Sequence, residues 1–550
     1  MNANKSNHII LVGFQNQGNL GIGYLAATVR NHGYSVEVFD IETNRDTLLQ
    51  AAISKSPILI GFSLIFQFYI KRYRELIRFL RHNNINCHFT MGGHFPSLSY
   101  HQTLELVPEL DSVVLFEGEL TLAQLIDYLA TGKDWQNVEG IAFNSTEGVK
   151  TTPLRPLMKD LDLLPYPDRD FKPMTTLGHA IMPLLASRGC ARTCSFCSIQ
   201  TFYRTAPGKI VRTRLPEKII DEMKMLYEKQ GTTIFLFQDD DFPLYGPVWQ
   251  RWTKDFLSKL EKSGLPNNTI WKMNCRADAV DKVLFKEMKA AGLYVVYMGL
   301  ESGNEEGLKT LHKEITVEQN LKAVEILKEI ELPFEYGFML FDPSSSFESI
   351  RANIGFLRTI VADGLVPVTF CRMLPYDGTA IKTELVQAGR LRGDVCNPDY
   401  DFLDPLLNEY YNTLTKYLNI EGWIHGYESL TNHLKEAFHE IYILDRLYPE
   451  IKKSVREYEL QVAQITKESN NLLLNVVEEL LQLCLNRKEM TLSKQFVDRS
   501  RIEFIKQLLQ IRDPFILEHQ NTIMEKWQYK PNTSMQIVSQ PVQVLDEAVA

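Results

Sequence analysis

Short apolar runs alternate with amphipathic segments along the first quarter of the chain. "HIILVGF" (His8–Phe14), "YSVEVFDIE" (Tyr34–Glu42), "PILIGFS" (Pro57–Ser63), "CHFTMGG" (Cys87–Gly93) and "SVVLFEGE" (Ser112–Glu119) are near-continuous apolar stretches of strand length. Such runs are the mark of parallel strands buried on both faces. "GIGYLAATVRNHG" and "FYIKRYRELIRFLRHNN" between them carry a helical period. Strand, helix, strand at this rhythm predicts a doubly wound, Rossmann-like sheet, which binds ligands beyond the carboxyl ends of its strands. Polar and glycine-rich residues collect at those ends, in "QNQGN", "SLIFQ", "GGHFPS" and "EGELT".

"KDLDLLPYPDRDF" (Lys159–Phe171) is rich in proline and charge and reads as an ordered linker. A second α/β pattern follows, with strands expected at "AIMPLLASRG", "TTIFLFQDDDF", "NTIWKMNCRAD", "LYVVYMGLESG", "FEYGFMLFD" and "LVPVTFCRMLP". Six parallel strands are too few to close an eight-stranded barrel, so an open, partial (β/α)6 barrel is expected. From about Asp401 the pattern turns helical, and the end of the chain has no periodicity. The expected organisation is a first domain at 1–145, a linker at 146–180, the partial barrel at 181–395, an all-α region at 396–528 and a loose tail at 529–550.

A chain of 550 residues is long enough for three or four domains. A net charge of −9 is mild for this length and argues against a nucleic-acid surface. The opening residues lead straight into a strand pattern, and no run reaches the roughly 18–20 apolar residues of a membrane helix. A cytoplasmic, reducing location is expected, where clustered cysteines signal metal or redox chemistry.

Three of the eight cysteines, Cys190, Cys194 and Cys197, fall in "SRGCARTCSFCSIQ". Structural zinc takes four ligands, usually as two separated pairs, and a disulfide framework takes an even number. Three thiolates on one loop suit a [4Fe–4S] cluster with one iron left open to a small molecule. Of the other cysteines, Cys87, Cys275, Cys371 and Cys484 lie in apolar or strand contexts, where cysteine is a small hydrophobe, and Cys396 has no partner spacing. His425, His433 and His439 lack the spacing of three or four that gathers ligands on one helix face.

The CxxxCxxC loop after the first strand of a partial barrel resembles the radical S-adenosylmethionine superfamily. The resemblance implies that Cys190, Cys194 and Cys197 hold the cluster and that S-adenosylmethionine chelates the fourth iron. It places Phe196 against the adenine and "FQDDDF", with Gln238, Asp239 and Asp240, near the methionine amino group. Asn274 or Arg276 in "WKMNCRAD" is placed to reach the carboxylate or ribose, although Arg276 also has Asp278 as a neighbour. Glu301 in "YMGLESG" falls where the family bonds the ribose hydroxyls. Asp342 and Asp377 depart from the family pattern and receive no role.

The first domain resembles the cobalamin-binding domain of class B radical enzymes, through "GNLGIGYLAATVRNHGYSVEVFDIE", "MGGHFPSLSY" and "LFEGELTLAQLIDYL". Cobalamin would then meet Gly18, Asn19 and Leu20, Ser63 and Leu64, Gly92, Gly93, His94, Pro96 and Ser97, and Glu117, Gly118 and Glu119. The Asp-x-His-x-x-Gly signature of domains that ligate cobalt through histidine is absent. His94 is the obvious substitute, but cobalt is expected without a histidine ligand. The activity implied is a cobalamin-dependent methylation of an unactivated carbon in a small natural product or peptide, with a flavodoxin or ferredoxin as reductant. Two alternatives stand beside it. One keeps both cofactors in a cyclase, ring-contraction enzyme or epimerase, and the other has a first domain that holds no cobalamin.

Overall fold

The computed structural model describes residues 7–15, 18–171, 173–486 and 491–527, so the expected tail at 529–550 lies outside the described residues. The first sheet is built of β1 (His8–Gly13), β2 (Ser35–Asp40), β3 (Leu59–Ser63), β4 (His88–Gly92), β5 (Ser112–Val114), β6 (Ile141–Ser145) and β7 (Gly148–Thr151). Its order is β2-β1-β3-β4-β5-β6-β7. The first five strands are parallel, and the hairpin β6–β7 runs antiparallel at the edge. The chain leaves β1 for β2 on one side and returns to β3 on the other. That reversal opens a crevice between the β1 and β3 ends, the usual ligand site of a 2-1-3-4-5 sheet.

Two expectations are corrected here. The sheet continues to Thr151, past the boundary expected at 145, because β7 pairs along β6 from Ala142 to Ser145. "GGHFPS" is not a plain loop: a short helix, His94–Leu98, starts directly after Gly93. Gly93 has φ +119°, and a Cβ there would stand 2.1 Å from the Leu64 carbonyl oxygen, so this tight entry requires glycine.

In the second sheet, Met174–Thr176 pairs antiparallel with His179–Leu184. Parallel strands Thr232–Phe237, Ile270–Arg276, Leu293–Glu301, Phe334–Phe341 and Cys371–Arg372 then add one after another in chain order. The first and last of the six parallel strands are not paired with each other, so the barrel is open, as expected. These strands form because both faces are covered; every residue of Thr232–Phe237 is buried.

The helices Pro405–Leu418, Leu430–Leu447, Lys452–Asn486 and Lys494–Glu525 are not a separate body. Their apolar residues join the barrel's in one continuous core. The Phe341 ring on the fifth parallel strand meets Tyr411 at 5.1 Å, and Asn470 accepts a hydrogen bond from the Val368 backbone at 2.7 Å. Most aromatic residues of 410–448 therefore build core: Tyr410, Trp423 and Tyr448 are at most 1% exposed, while Tyr427 is exposed. The span expected as a linker at 146–180 is partly taken up by the sheets, through Gly148–Thr151 and Met174–Thr176, and its middle is tied down by hydrogen bonds. Asp168 N donates to the Gly23 carbonyl at 2.9 Å, and Arg169 pairs with Glu222 at 2.6 Å.

Candidate cluster and cofactor site

The cysteine loop leaves the strand His179–Leu184 and is clamped at its base. Ser187–Arg188 pairs antiparallel with Arg212–Thr213. Gly189 follows with φ +88°, and a Cβ there would lie 2.1 Å from the Ile210 carbonyl oxygen. Further along, Ser195 N donates to Leu311 O at 3.0 Å, Ser195 Oγ to Thr310 O at 2.8 Å, and Arg192 pairs with Asp278 at 2.9 Å. Cys194 is buried, while Cys190 and Cys197 are half-buried. Burial pushes the Cys190 and Cys197 thiols up to about 12; at Cys197 the backbone N–H groups of Ile199 and Gln200, in the helix that it caps, partly offset this. Iron would have to displace both protons at neutral pH, as metal binding to thiols does. Among the described residues, no three His, Cys, Asp or Glu side chains gather in a group that could hold one ion. Three thiols on one clamped loop suit a cluster, in which each sulfur takes a different iron.

The acidic triplet divides its work. Asp239 is 2% exposed and accepts from Ala186 N at 3.2 and 3.1 Å and from Ser187 Oγ at 2.5 Å. Burial pushes its carboxyl up to about 7 against those bonds. It braces the root of the cysteine loop through these bonds. Asp240 accepts from Gly189 N at 2.8 Å and opens onto the large cleft, as does Gln238. Its oxygens meet the cleft while protein surrounds the group, so burial still raises its carboxyl. Asp241 was not singled out from the sequence. Burial raises it to about 6, and Arg276, Arg192 and Lys313 pull against that rise, which places it among the cations beside the cluster loop.

Asn274 lies near the end of the strand Ile270–Arg276, and its Oδ1 is buried with no hydrogen-bond partner among the described residues. An orphaned buried acceptor of this kind suits a ligand donor. Arg276 is committed to the protein: Nε donates to Asp278 at 3.0 Å, Nη2 to the Lys313 carbonyl, and Nη1 lies 3.8 Å from the Cys194 sulfur. Glu301 ends the next strand with φ +61°, a left-handed conformation unusual for a residue with a side chain. Its Oε1 accepts from Lys313 Nζ at 2.9 Å. Gly337 lies next to it and makes room for Tyr297, since a Cβ there would stand 2.6 Å from the Tyr297 hydroxyl and 3.6 Å from Glu301 Oε2. Phe196 is 4% exposed and packs in the barrel core.

A cleft of about 650 Å³ opens between the two sheets. Gly18, Asn19, Leu20, Ser63, Gly92, Gly93, His94, Glu117, Gly118 and Glu119 line it from the first domain, opposite Ser187, Arg188, Gln238 and Asp240. The expected contacts Leu64, Pro96 and Ser97 are not among its lining: Leu64 is fully buried, Pro96 is buried, and Ser97 Oγ is used by Phe116 N and Gly93 O. Gly61, Gly92, Gly93 and Gly118 leave its floor without side chains, so backbone can approach a broad ligand closely. Glu117 and Glu119 are held from across the domain boundary, by Arg212 at 2.9 Å and by Arg188 at 2.6 Å. The aromatic wall of Phe14, Phe66, Phe68, Tyr69, Phe202 and Tyr203 was not anticipated. The His94 ring is stacked on Phe202, and burial lowers its pKa to about 4, so it stays neutral. In the helical region, His433 and His439 go to separate partners, Ser429 and Glu335.

Comparison with known proteins agrees with this geometry. Residues 10–126 match the B12 binding domain family, and residues 184–354 match the radical SAM superfamily. An uncharacterized methyltransferase of Pyrococcus horikoshii is 28% identical over 394 residues, 70% of this chain and 82% of its own. An anaerobic magnesium-protoporphyrin IX monomethyl ester cyclase of Rubrivivax gelatinosus is 28% identical over 354 residues, 61% of each chain. Among solved structures, the cobalamin-dependent S-adenosylmethionine radical enzyme OxsB with aqua-cobalamin bound superposes with a TM-score of 0.66 at 18% identity. That match covers 94% of this chain and 81% of OxsB. Among the described residues no helix is long and apolar enough to cross a membrane.

Proposed function

For a chain that joins a B12 binding domain to a radical SAM core, and so belongs to the cobalamin-dependent radical S-adenosylmethionine enzymes, we propose methylation of an unactivated carbon in a small organic or peptide substrate. The observation that carries the reading is the shared cleft, where the glycine floor of the first domain faces Gln238 and Asp240 next to the cluster loop. When bound, the [4Fe–4S] cluster, S-adenosylmethionine and cobalamin supply the reducing electron, the carbon-centred radical and the transferable methyl group.

The chain's own residues bind, orient and shield. Cys190, Cys194 and Cys197 hold the cluster, on a loop that Asp239, Ser195 and Arg192 fix in place. Asn274 Oδ1 and Glu301 Oε2 offer acceptors to S-adenosylmethionine, and Asp240 and Gln238 do so from the cleft side. Gly18, Asn19, Leu20, Ser63, Gly92, Gly93, His94 and Gly118 receive cobalamin. The continuous core of strands and helices closes the barrel flank against water, which a radical on carbon requires. A small acidic electron carrier such as a flavodoxin or ferredoxin, in a reducing cytoplasm, is the natural reductant.

The test is anaerobic reconstitution followed by absorption spectroscopy and product analysis. Iron, corrin, 5′-deoxyadenosine and S-adenosylhomocysteine should all appear, the last because a second S-adenosylmethionine restores the methyl group. A second reading draws on the cyclase relative. Formation of 5′-deoxyadenosine without S-adenosylhomocysteine, in the presence of a turning-over substrate, would favour it. Failure to take up corrin would defeat both.

A further inference from the structure

We propose that Lys313 is a positioning residue, which sets Glu301 for the ribose of S-adenosylmethionine and holds a positive charge beside the Cys194 thiolate. The inference rests on the cluster and adenosine sites proposed above and adds a residue to them. Lys313 and Glu301 are 5% and 6% exposed, and Nζ lies 2.9 Å from Oε1. Lysine is almost never buried unless paired, and a buried pair is weak evidence of stabilisation, because desolvation offsets the attraction. A reason beyond stability is therefore needed.

Three features of the backbone are arranged around this pair. Glu301 is left-handed at φ +61°, and His312 and Glu314, on either side of Lys313, are left-handed at φ +47° and +56°. Such conformations are costly for residues with side chains and collect at functional sites. Gly299 completes the set: a Cβ there would stand 2.3 Å from Glu301 Oε1 and 2.8 Å from Lys313 Nζ. In this geometry the pair occupies the space that a side chain at position 299 would take.

The pair also faces two ways. Lys313 occupies Oε1, while Oε2 lies near Gly337 on the side where the Tyr297 hydroxyl also sits. One oxygen is thus anchored and the other is turned to accept from a hydroxyl. On the opposite side, the Lys313 carbonyl accepts from Arg276, whose Nη1 lies 3.8 Å from the Cys194 sulfur, and the Lys313 ammonium itself interacts electrostatically with Cys194. One side chain is therefore linked to both the ribose acceptor and a cluster ligand.

The experiment uses the full chain, reconstituted anaerobically, as wild type, Lys313→Met, Lys313→Arg, Glu301→Gln and the Lys313→Met/Glu301→Gln double variant. The readouts are iron content, S-adenosylmethionine affinity by equilibrium dialysis and the cluster midpoint potential from a redox titration followed by electron paramagnetic resonance. Lys313→Met should keep its iron, bind S-adenosylmethionine at least tenfold more weakly and show a more negative potential, since a nearby cation favours the reduced cluster. Lys313→Arg should restore the potential but only part of the affinity, because a planar fork does not reproduce a point charge. The double variant should bind no more than about threefold more weakly than the poorer single variant, as expected of residues acting through one contact. Wild-type affinity and potential in Lys313→Met would overturn the inference. Should Lys313→Met lose its cluster, Lys313→Arg decides: affinity at least threefold weaker supports the inference, and wild-type affinity overturns it. A wild type that binds neither iron nor S-adenosylmethionine would instead defeat the underlying site assignment.

Discussion

The His94 ring of the first domain lies flat on Phe202 of the barrel, with centroids 4.3 Å apart and planes 8° from parallel. Phe202 belongs to the helix Ser198–Thr205, which Cys197 caps. One stacked contact therefore joins the short helix His94–Leu98 to the helix that Cys197, a proposed cluster ligand, caps. Because burial keeps His94 neutral, the stack joins two neutral rings and avoids placing a charge between the domains. Offset stacks of this kind contribute about 0.5–1.5 kcal/mol beyond their burial.

Replacing Cys190, Cys194 and Cys197 together with Ala should reduce iron to trace levels and abolish cleavage of S-adenosylmethionine. Corrin uptake should persist, since the cleft floor comes from the first domain. Iron analysis and absorption spectra after anaerobic reconstitution check this. A full cluster spectrum in the triple variant would move the ligands elsewhere.

Glu301→Ala and Asp240→Ala should weaken S-adenosylmethionine binding with the cluster retained. A lost charged hydrogen bond costs about 1.5–3 kcal/mol, or roughly ten- to a hundredfold in affinity. Asp239→Asn should behave differently, lowering cluster occupancy first, because Asp239 holds Ala186 and Ser187 at the root of the loop. Equilibrium dialysis alongside iron content separates the two outcomes.

Cobalt should be without a histidine ligand, because the Asp-x-His-x-x-Gly signature is absent. Electron paramagnetic resonance of the cob(II)alamin form should then show no nitrogen superhyperfine splitting. Splitting that disappears in His94→Gln would assign His94 to the metal. Splitting that survives that substitution would assign the cofactor's own base.

Stability should fall as pH drops from 6.5 towards 4, and His179 should account for part of the loss. Its Nδ1 lies 2.8 Å from Thr233 Oγ1 and its Nε2 lies 2.6 Å from the Tyr448 hydroxyl, and burial lowers its pKa from 6.5 to about 4. The unfolded chain takes a proton below pH 6.5 that the folded chain refuses until about pH 4, so acid favours unfolding across that window. The full effect is on the order of 3 kcal/mol. His179→Gln should be less stable at pH 7 yet lose less between pH 6.5 and 4.5, as measured by thermal unfolding of the apoprotein. Equal pH dependence in the two proteins would show that His179 is not the group responsible.

The parallel strands of both sheets were legible in the sequence because a strand covered on two faces must be apolar along its length, a property carried by the strand alone. The same holds for the spacing of Cys190, Cys194 and Cys197, which a single loop expresses. The position of the cleft could be read as well, though not its aromatic wall, since polar residues after strands of a doubly wound sheet converge wherever the strand order reverses. The triplet Asp239–Asp241 was not legible in this way. Three adjacent carboxylates look alike in sequence, and contacts with Ser187, Gly189 and Arg276, dozens of residues distant, make one a brace, one a cleft wall and one a partner of cations. Lys313, in the polar turn "LHKEI", reads as a surface lysine, and only the packing of that turn under Gly299 buries it against Glu301. Nor does helical periodicity say what an apolar face covers. That the C-terminal helices complete the barrel core was decided by tertiary contact, such as Asn470 on Val368. Local pattern records that a side chain is buried; its partners depend on chain segments brought together only by folding.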